Sequence, residues 1–157
     1  MKTIINSLSV ATLLFTCNVL FAQCPVPEKI VRAKDKGAFG ICSQSKSGAL
    51  KVGEAYEMAF IAQANTDYRI SAALVDEKAG NLVVELFEME SQKDASGNYK
   101  KVKKVISSVA QDELIEITTD KTRKMMIGVT IEGGEGNNKP QCIGVLILDK
   151  KTTIIGL

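Results

Sequence analysis

The chain has 157 residues, and its 20 Lys and Arg residues against 18 Asp and Glu give a formal net charge of only +2. It contains no histidine and no tryptophan, and aromatic residues make up 5% of the sequence. The near-neutral charge argues against a nucleic-acid-binding face. The missing histidine excludes Ser-His-Asp and Cys-His catalysis and histidine-ligated metals, and few aromatic side chains are left to stack against sugar rings.

The first residues have the pattern of a secretory signal peptide. Lys2 is followed by an apolar run over residues 8–20, and Ala22 supplies the small residue at a cleavage site. We therefore predict a leader at residues 1–22 and a single exported domain at residues 23–157. No later run reaches the roughly 20 apolar residues of a membrane-spanning helix, so we predict no transmembrane segment. Cys17 raises the alternative of a lipoprotein, but the residues just before it are not small.

The first element of the mature chain is predicted to be a short helix over residues 27–36. Pro27 suits the first helical position, Glu28 the positive N-terminal end, and Gly37 a left-handed position after the helix. Ile30 belongs to a narrow apolar stripe, which is enough to pack on a sheet but too little to stabilise an isolated helix.

The rest of the chain consists of short segments with a period of two, separated by polar turns. This alternation is expected of strands that turn one face to a core. We predict strands over residues 49–52, 54–62, 67–74, 82–90, 100–107, 113–119, 125–131 and 141–148, with 152–157 as a candidate edge strand. The spacing leaves no room for βαβ units, so the predicted fold class is mainly β: an antiparallel β-sandwich or jelly roll of about seven to eight strands.

Two regions indicate which faces are buried. The two segments between residues 67 and 89 each place one apolar set on a single face, formed by Tyr68, Ile70, Ala72 and Leu74 and then by Leu82, Val84 and Leu86. The segment 141–148 is apolar on both faces, which predicts a central strand or one covered by the helix.

The densest basic run is formed by Lys100, Lys101, Lys103 and Lys104. If residues 94–98 form a hairpin turn, Glu90 faces Lys101 and Glu88 faces Lys103, which favours a ladder of exposed opposite charges. The lysines would also discourage edge-to-edge association of the strand. The alternative is a patch for acidic polymers or lipid headgroups.

Acidic residues offer two further hypotheses. The Gly- and Asn-rich loop 132–140 has oxygen ligands that calcium could use, but it lacks regular Asp-x-Asp spacing and is better interpreted as a hairpin tip. A pair of carboxylates could hydrolyse glycosides without histidine, and the candidates are Glu85, Glu88, Asp112 and Glu116. Nothing in the sequence singles out two of them, and we predict neither a metal nor a cofactor.

Three cysteines remain after the predicted leader, so at most one intramolecular disulfide can form. Cys24 and Cys42 bracket the predicted helix, and closing the short loop between them costs little chain entropy, so this is the favoured pair. Cys142 would then be a buried thiol. The alternative pair is Cys42 with Cys142, which would join the N-terminal segment to the last core strand.

The order of short motifs along the chain resembles that of small exported β-sandwich proteins of Bacteroidota. The motifs are a Cys-plus-helix N-terminus, Gly53-Glu54-Ala55-Tyr56, Tyr68-Arg69-Ile70 and Cys142-Ile143-Gly144-Val145. The strand pattern is also similar to that of bacterial pre-peptidase C-terminal domains, although the Asp-rich calcium positions of some of those domains are missing. The resemblance implies a binding, secretion-linked or accessory role.

These observations predict a non-catalytic exported module that binds a protein or a surface polymer. Two alternatives remain open. One is a structural subunit of a cell-surface assembly, which would use an unpaired apolar edge strand such as 152–157. The other is a histidine-free hydrolase, which would need two carboxylates in a deep cleft.

Overall fold

A computed structural model describes residues 24–32, 37–134 and 139–152 of the chain. It contains a single helical turn, α1, at Pro27–Ile30, and one 3-10 turn at Glu77–Ala79. The strands are β1 (Gly40–Ile41), β2 (Lys46–Leu50), β3 (Ala55–Ala62), β4 (Thr66–Leu74), β5 (Asn81–Lys93), β6 (Tyr99–Ala110), β7 (Ile115–Thr119), β8 (Arg123–Glu132) and β9 (Gln141–Lys151). The predicted leader and most of the candidate edge strand 152–157 lie outside the described residues.

The strands form two antiparallel sheets. Sheet A has the order β2–β9–β4–β7, and the two-residue β1 extends the same edge of β9 beside β2. Sheet B has the order β3–β8–β5–β6. Strands β2 to β9 thus follow the eight-stranded order of a jelly roll, in which consecutive strands lie in opposite sheets except for the β5–β6 hairpin, and this confirms the predicted fold class. The segments 67–74 and 82–89 belong to different sheets, so the turn between them connects the two layers.

The core lies between the two sheets. The inward-facing apolar residues of β3, β4, β5, β8 and β9 enter one buried cluster, including Phe60, Ile70, Leu86, Ile127 and Ile147. All seven residues that the alternation between positions 67 and 89 assigned to a buried face belong to this cluster. The period of two therefore identified the core side of each strand correctly.

The outer face of sheet A is covered by the N-terminal segment. Val31 packs with Ala73, Leu146 and Leu148 in a second buried cluster, against which Ile30 and Phe39 also lie. Strand β9 is thus both central in its sheet and covered on its outer face, as its apolar pattern predicted. The helix is shorter than predicted: Val31 has extended backbone, so α1 ends at Ile30, and residues 33–36 are outside the described part of the chain.

The disulfide joins Cys24 to Cys142, with 5.4 Å between the Cα atoms, and Cys42 is a free thiol. The predicted Cys24–Cys42 pair is therefore wrong, and so is the alternative Cys42–Cys142 pair. The reason is that Cys142 lies on the outer face of β9, where the N-terminal segment packs, whereas Cys42 packs against the core on the inner side. The packing of the N-terminal segment on β9 therefore determines that Cys24 bonds to Cys142, and the length of the loop that the disulfide closes does not.

No helix within the described residues is long and apolar enough to cross a membrane.

Candidate functional site

The hairpin of β5 and β6 extends beyond the sandwich. Strand β5 pairs with β8 only as far as Phe87, but it pairs with β6 as far as Lys93. Residues 88–93 and 99–104 therefore form a two-stranded ribbon that has no third strand. We call this part of the hairpin the ribbon.

A compact turn closes the ribbon. One carboxylate oxygen of Asp94 accepts hydrogen bonds from the backbone N–H groups of Ser96 and Asn98, both at 2.9 Å. The N–H of Asp94 donates to the carbonyl oxygen of Asn98 at 2.8 Å, and Gly97 has φ of 88°, a left-handed conformation that favours glycine. The end of the ribbon is thus held by its own hydrogen bonds.

The register of the ribbon differs from the predicted one. Lys93 pairs with Tyr99 across the turn, so Glu88 lies opposite Lys104 and Glu90 lies opposite Val102. The predicted rungs, Glu90 with Lys101 and Glu88 with Lys103, are therefore wrong by one residue. A bulge then leaves Ile106 without a directly opposed partner in β5, because Phe87 pairs with Val105 and Leu86 with Ser107.

Two of the four lysines do form ion pairs, but with other partners. Lys103 Nζ lies 2.6 Å from Glu85 Oε2 and 4.2 Å from the centroid of the Phe87 ring. Lys104 Nζ lies 2.7 Å from Glu90 Oε1, and this hydrogen bond raises the pKa of the Lys104 ammonium group. These two lysines belong to the charge network of the sheet rather than to a free basic patch.

The lysines at the end of the ribbon differ from Lys103 and Lys104 in their surroundings. Tyr99 is 76% exposed, and it is flanked by Lys93, Lys100 and Lys101, which are exposed as well. Within the described part of the chain, no carboxylate lies within ion-pair distance of these three lysines. We call these four residues the ribbon tip. It combines an exposed amphipathic ring with positive charge that no described carboxylate neutralises.

A second surface feature is an open depression of about 310 Å³ on the outer face of sheet A. The guanidinium of Arg69 stacks over the Phe39 ring at 4.4 Å and its Nε donates to Glu116 Oε1 at 2.7 Å. The Thr118 hydroxyl donates to Asp67 Oδ1 at 2.8 Å. Because these side chains already bind one another, a ligand would have to displace existing interactions, and the depression is the weaker candidate.

The four carboxylates considered for hydrolysis lie apart. Glu85 and Glu88 lie on opposite faces of β5, beside Lys103 and Arg123 respectively. Glu116 pairs with Arg69 on sheet A, and Asp112 lies in the turn after β6 with φ of 65°. The structure therefore does not bring two of them together in one cleft.

The calcium hypothesis concerned the loop 132–140, of which residues 135–138 lie outside the described part. Among the residues that the structure does describe, no three His, Cys, Asp or Glu side chains are arranged to hold a metal ion.

Tyr99 is not among the residues that the sequence patterns pointed to. Its position in the sequence was informative, because it is the first residue after a predicted turn and lies beside the basic run. The ion pairs that Lys103 and Lys104 form with Glu85 and Glu90 could not be inferred in the same way, because they depend on the β5–β6 register and on the bulge.

No protein-family model matches the chain. No curated protein matches it in sequence either.

Proposed function

We propose that the protein is a non-catalytic, exported binding module that contacts an acidic partner in the cell envelope through the ribbon tip. The observation that carries the proposal is the exposure of Tyr99 beside three lysines that have no carboxylate partner among the described residues. Tyrosine is enriched at the centres of protein interfaces, and unpaired lysines favour a partner of opposite charge.

The jelly roll supports this role as a scaffold. Its two sheets share one core, whereas the ribbon projects from that core with a turn that keeps its own shape. A contact surface on such an arm can reach a partner without any change in the sandwich. The Cys24–Cys142 disulfide is compatible with export, because disulfides persist in oxidising compartments. The resemblance to exported accessory β-sandwich proteins points in the same direction.

The experiment is photo-crosslinking in the native envelope. A photoreactive aromatic residue replaces Tyr99 in the full exported protein, and the crosslinked partner is identified by mass spectrometry. The matched variants are Lys93→Gln, Lys100→Gln and Lys101→Gln combined, and a control in which Lys46 and Lys51 of the β2 region are replaced by Gln.

We expect capture of a partner that the tip variant loses and the control variant keeps. We also expect the capture to weaken as salt is raised, because exposed charges are screened. Equal capture by the tip variant and the control variant would contradict the proposal. If the partner that binds the ribbon tip is an acidic polysaccharide instead of a protein, retention of the protein on that polysaccharide replaces the crosslink as the measurement. The same two variants are then compared.

A further inference from the structure

The outer face of sheet B carries several exposed apolar side chains. Residues on the outer faces of a sandwich are normally polar, and where sheet A breaks this rule its apolar residues are covered by the N-terminal segment. Sheet B has no such cover among the described residues. On this face Ile61 is 40% exposed, and Met89 and Val105 are each 47% exposed.

The strand register arranges this outer face in three rows that cross the strands. The acidic row consists of Glu57, Gly128, Glu85 and Ser108. The apolar row consists of Ala59, Met126, Phe87 and Val105. The basic row consists of two separate pairs, Ile61 with Lys124 and, in the ribbon where β5 no longer pairs with β8, Met89 with Lys103. The apolar row thus lies between two rows of opposite charge.

Some residues of this outer face already contact one another within the chain. Lys103 reaches across the apolar row to Glu85 and covers the ring of Phe87, which is only 1% exposed. Glu57 and Lys124, in contrast, are exposed and make no ion pair with any described residue. One unpaired charge of each sign therefore remains, on neighbouring strands and on opposite sides of the apolar row.

We propose that this face binds a second copy of the chain, related to the first by a two-fold axis that runs along the apolar row. Such an axis turns one face onto the other and reverses the direction of its strands. The apolar row then meets the apolar row of the second copy, and each acidic row meets a basic row. Each strand then lies over its own counterpart, so Glu57 faces Ile61 of the second copy. Lys124 of that copy lies one strand away, about 4.8 Å to the side, where the two long side chains can meet. This contact occurs twice because the interface is symmetric.

The size of the face fits a reversible dimer. Four strands about 4.8 Å apart, over about eight residues of about 3.3 Å each, present roughly 500 Å² per copy. The total of roughly 1,000 Å² is at the lower end of specific interfaces, where association is weak or transient. We therefore expect a dimer that dissociates at micromolar concentrations.

The test is analytical ultracentrifugation of the mature protein, with its disulfide intact, from low micromolar to submillimolar concentration. Two variants reverse one charge each, Glu57→Lys and Lys124→Glu. Both sites are exposed, so neither change removes a buried contact. Met126→Glu places a charge in the middle of the apolar row, and Lys46→Glu on β2 is the control with the same change of charge as Lys124→Glu.

The wild type is expected to dimerise, and each of the three face variants to weaken dimerisation at least tenfold, whereas Lys46→Glu leaves it unchanged. Mixing the Glu57→Lys and Lys124→Glu proteins restores dimers, because every contact between the two different chains is then attractive. The ribbon-tip variant still dimerises, which separates this proposal from the proposed function. A wild type that stays monomeric, dimers insensitive to the face variants, or a mixture that associates no better than its components would each overturn the proposal.

Discussion

Tyr68 shows how one polar atom is accommodated in the core. The side chain is 2% exposed, and its ring meets the Phe60 ring edge-on with 5.7 Å between centroids. Its hydroxyl oxygen accepts a hydrogen bond from the backbone N–H of Gln63 at 2.7 Å. Burial is the main cause that raises the pKa of the phenol above its ordinary value of 10.0, and the nearby Cys42 and Asp149 raise it further.

The raised pKa of Tyr68 predicts a loss of stability in alkali. The folded state holds the phenol proton more tightly than the unfolded state, so this contribution is complete below pH 10 and is lost as the pH rises through the folded pKa. Tyr68→Phe is expected to cost about 1 kcal/mol at neutral pH through the lost hydrogen bond. Above pH 10 the free energy of unfolding should fall less steeply with pH in the variant than in the wild type, as measured by urea unfolding at a series of pH values. Parallel curves for the two proteins would show that Tyr68 does not cause the decline.

Gly144 is the residue that lets α1 approach β9. A Cβ atom at this position would lie 2.9 Å from the Cβ of Ile30 and 3.3 Å from both Cδ1 and Cγ2 of that side chain. Such distances are closer than packed carbon atoms tolerate. The absence of a side chain at position 144 is therefore a condition for the cover on sheet A.

Replacing Gly144 by Val is expected to destabilise the protein by about 1–3 kcal/mol, the usual cost of overpacking. Ile30→Ala removes two of the three atoms that the new side chain would meet, Cδ1 and Cγ2, and keeps only the Cβ. The double variant should therefore lose less stability than the sum of the two single variants, as determined by chemical denaturation. Strict additivity would mean that the two residues do not compete for the same space.

At the scale of elements, strand β3 shows how an exposed sheet edge is protected. The side-chain amide of Gln44 imitates a neighbouring strand at Ile61. Its Oε1 accepts from the Ile61 N–H at 2.8 Å, and its Nε2 donates to the Ile61 carbonyl oxygen at 3.1 Å. This residue occupies two backbone groups that would otherwise be free to pair with another chain.

Gln44→Ala is accordingly expected to cost about 1–2 kcal/mol and to increase aggregation on warming. The measurements are the unfolding midpoint and light scattering during a thermal ramp. Gln92→Ala on the exposed ribbon is the matched control, and it should leave both quantities unchanged. If the two variants behave alike, the amide does not protect the edge.

The elements also show what sequence patterns can and cannot predict. The core side of each strand was predictable, because burial requires every second residue to be apolar. The full length of β5 and β6 was not, because the ribbon is held by backbone pairing that leaves no periodic signal. The two-residue β1 and the early end of α1 were likewise set by packing on β9. The ribbon register depends on the turn and on one bulge, neither of which changes the composition of the strands.

At the scale of the whole molecule, the last described strand organises the fold. Strand β9 lies inside sheet A, pairs with β1 and β2 on one side and with β4 on the other, and carries α1 on its outer face. Sheet A is therefore complete only when β9 is in place. The fold class followed from strand spacing, but the central place of β9 followed from its apolar residues on both faces. The pairing of Cys24 with Cys142 could not be derived from strand spacing or from the apolar pattern of β9. It depends on which face of β9 the N-terminal segment covers.

The disulfide fastens the N-terminal segment to this central strand, across a sequence separation of 118 residues. It acts in two ways. It restricts the unfolded chain over most of its length, and it keeps α1 on the outer face of sheet A. The free thiol of Cys42 serves as an internal control, since it is half-buried and takes part in neither effect.

Replacing Cys24 and Cys142 together by Ser is expected to lower the free energy of unfolding by about 2–5 kcal/mol, whereas Cys42→Ser should cost less than about 1 kcal/mol. Chemical denaturation of the oxidised proteins gives both values. In the double variant, hydrogen exchange should also become faster in residues 24–32 than in β4 and β8, because the segment has lost its covalent attachment while the two sheets still share their core. Uniformly faster exchange would mean that the cross-link acts on the unfolded chain alone, and an unchanged unfolding midpoint would exclude both effects.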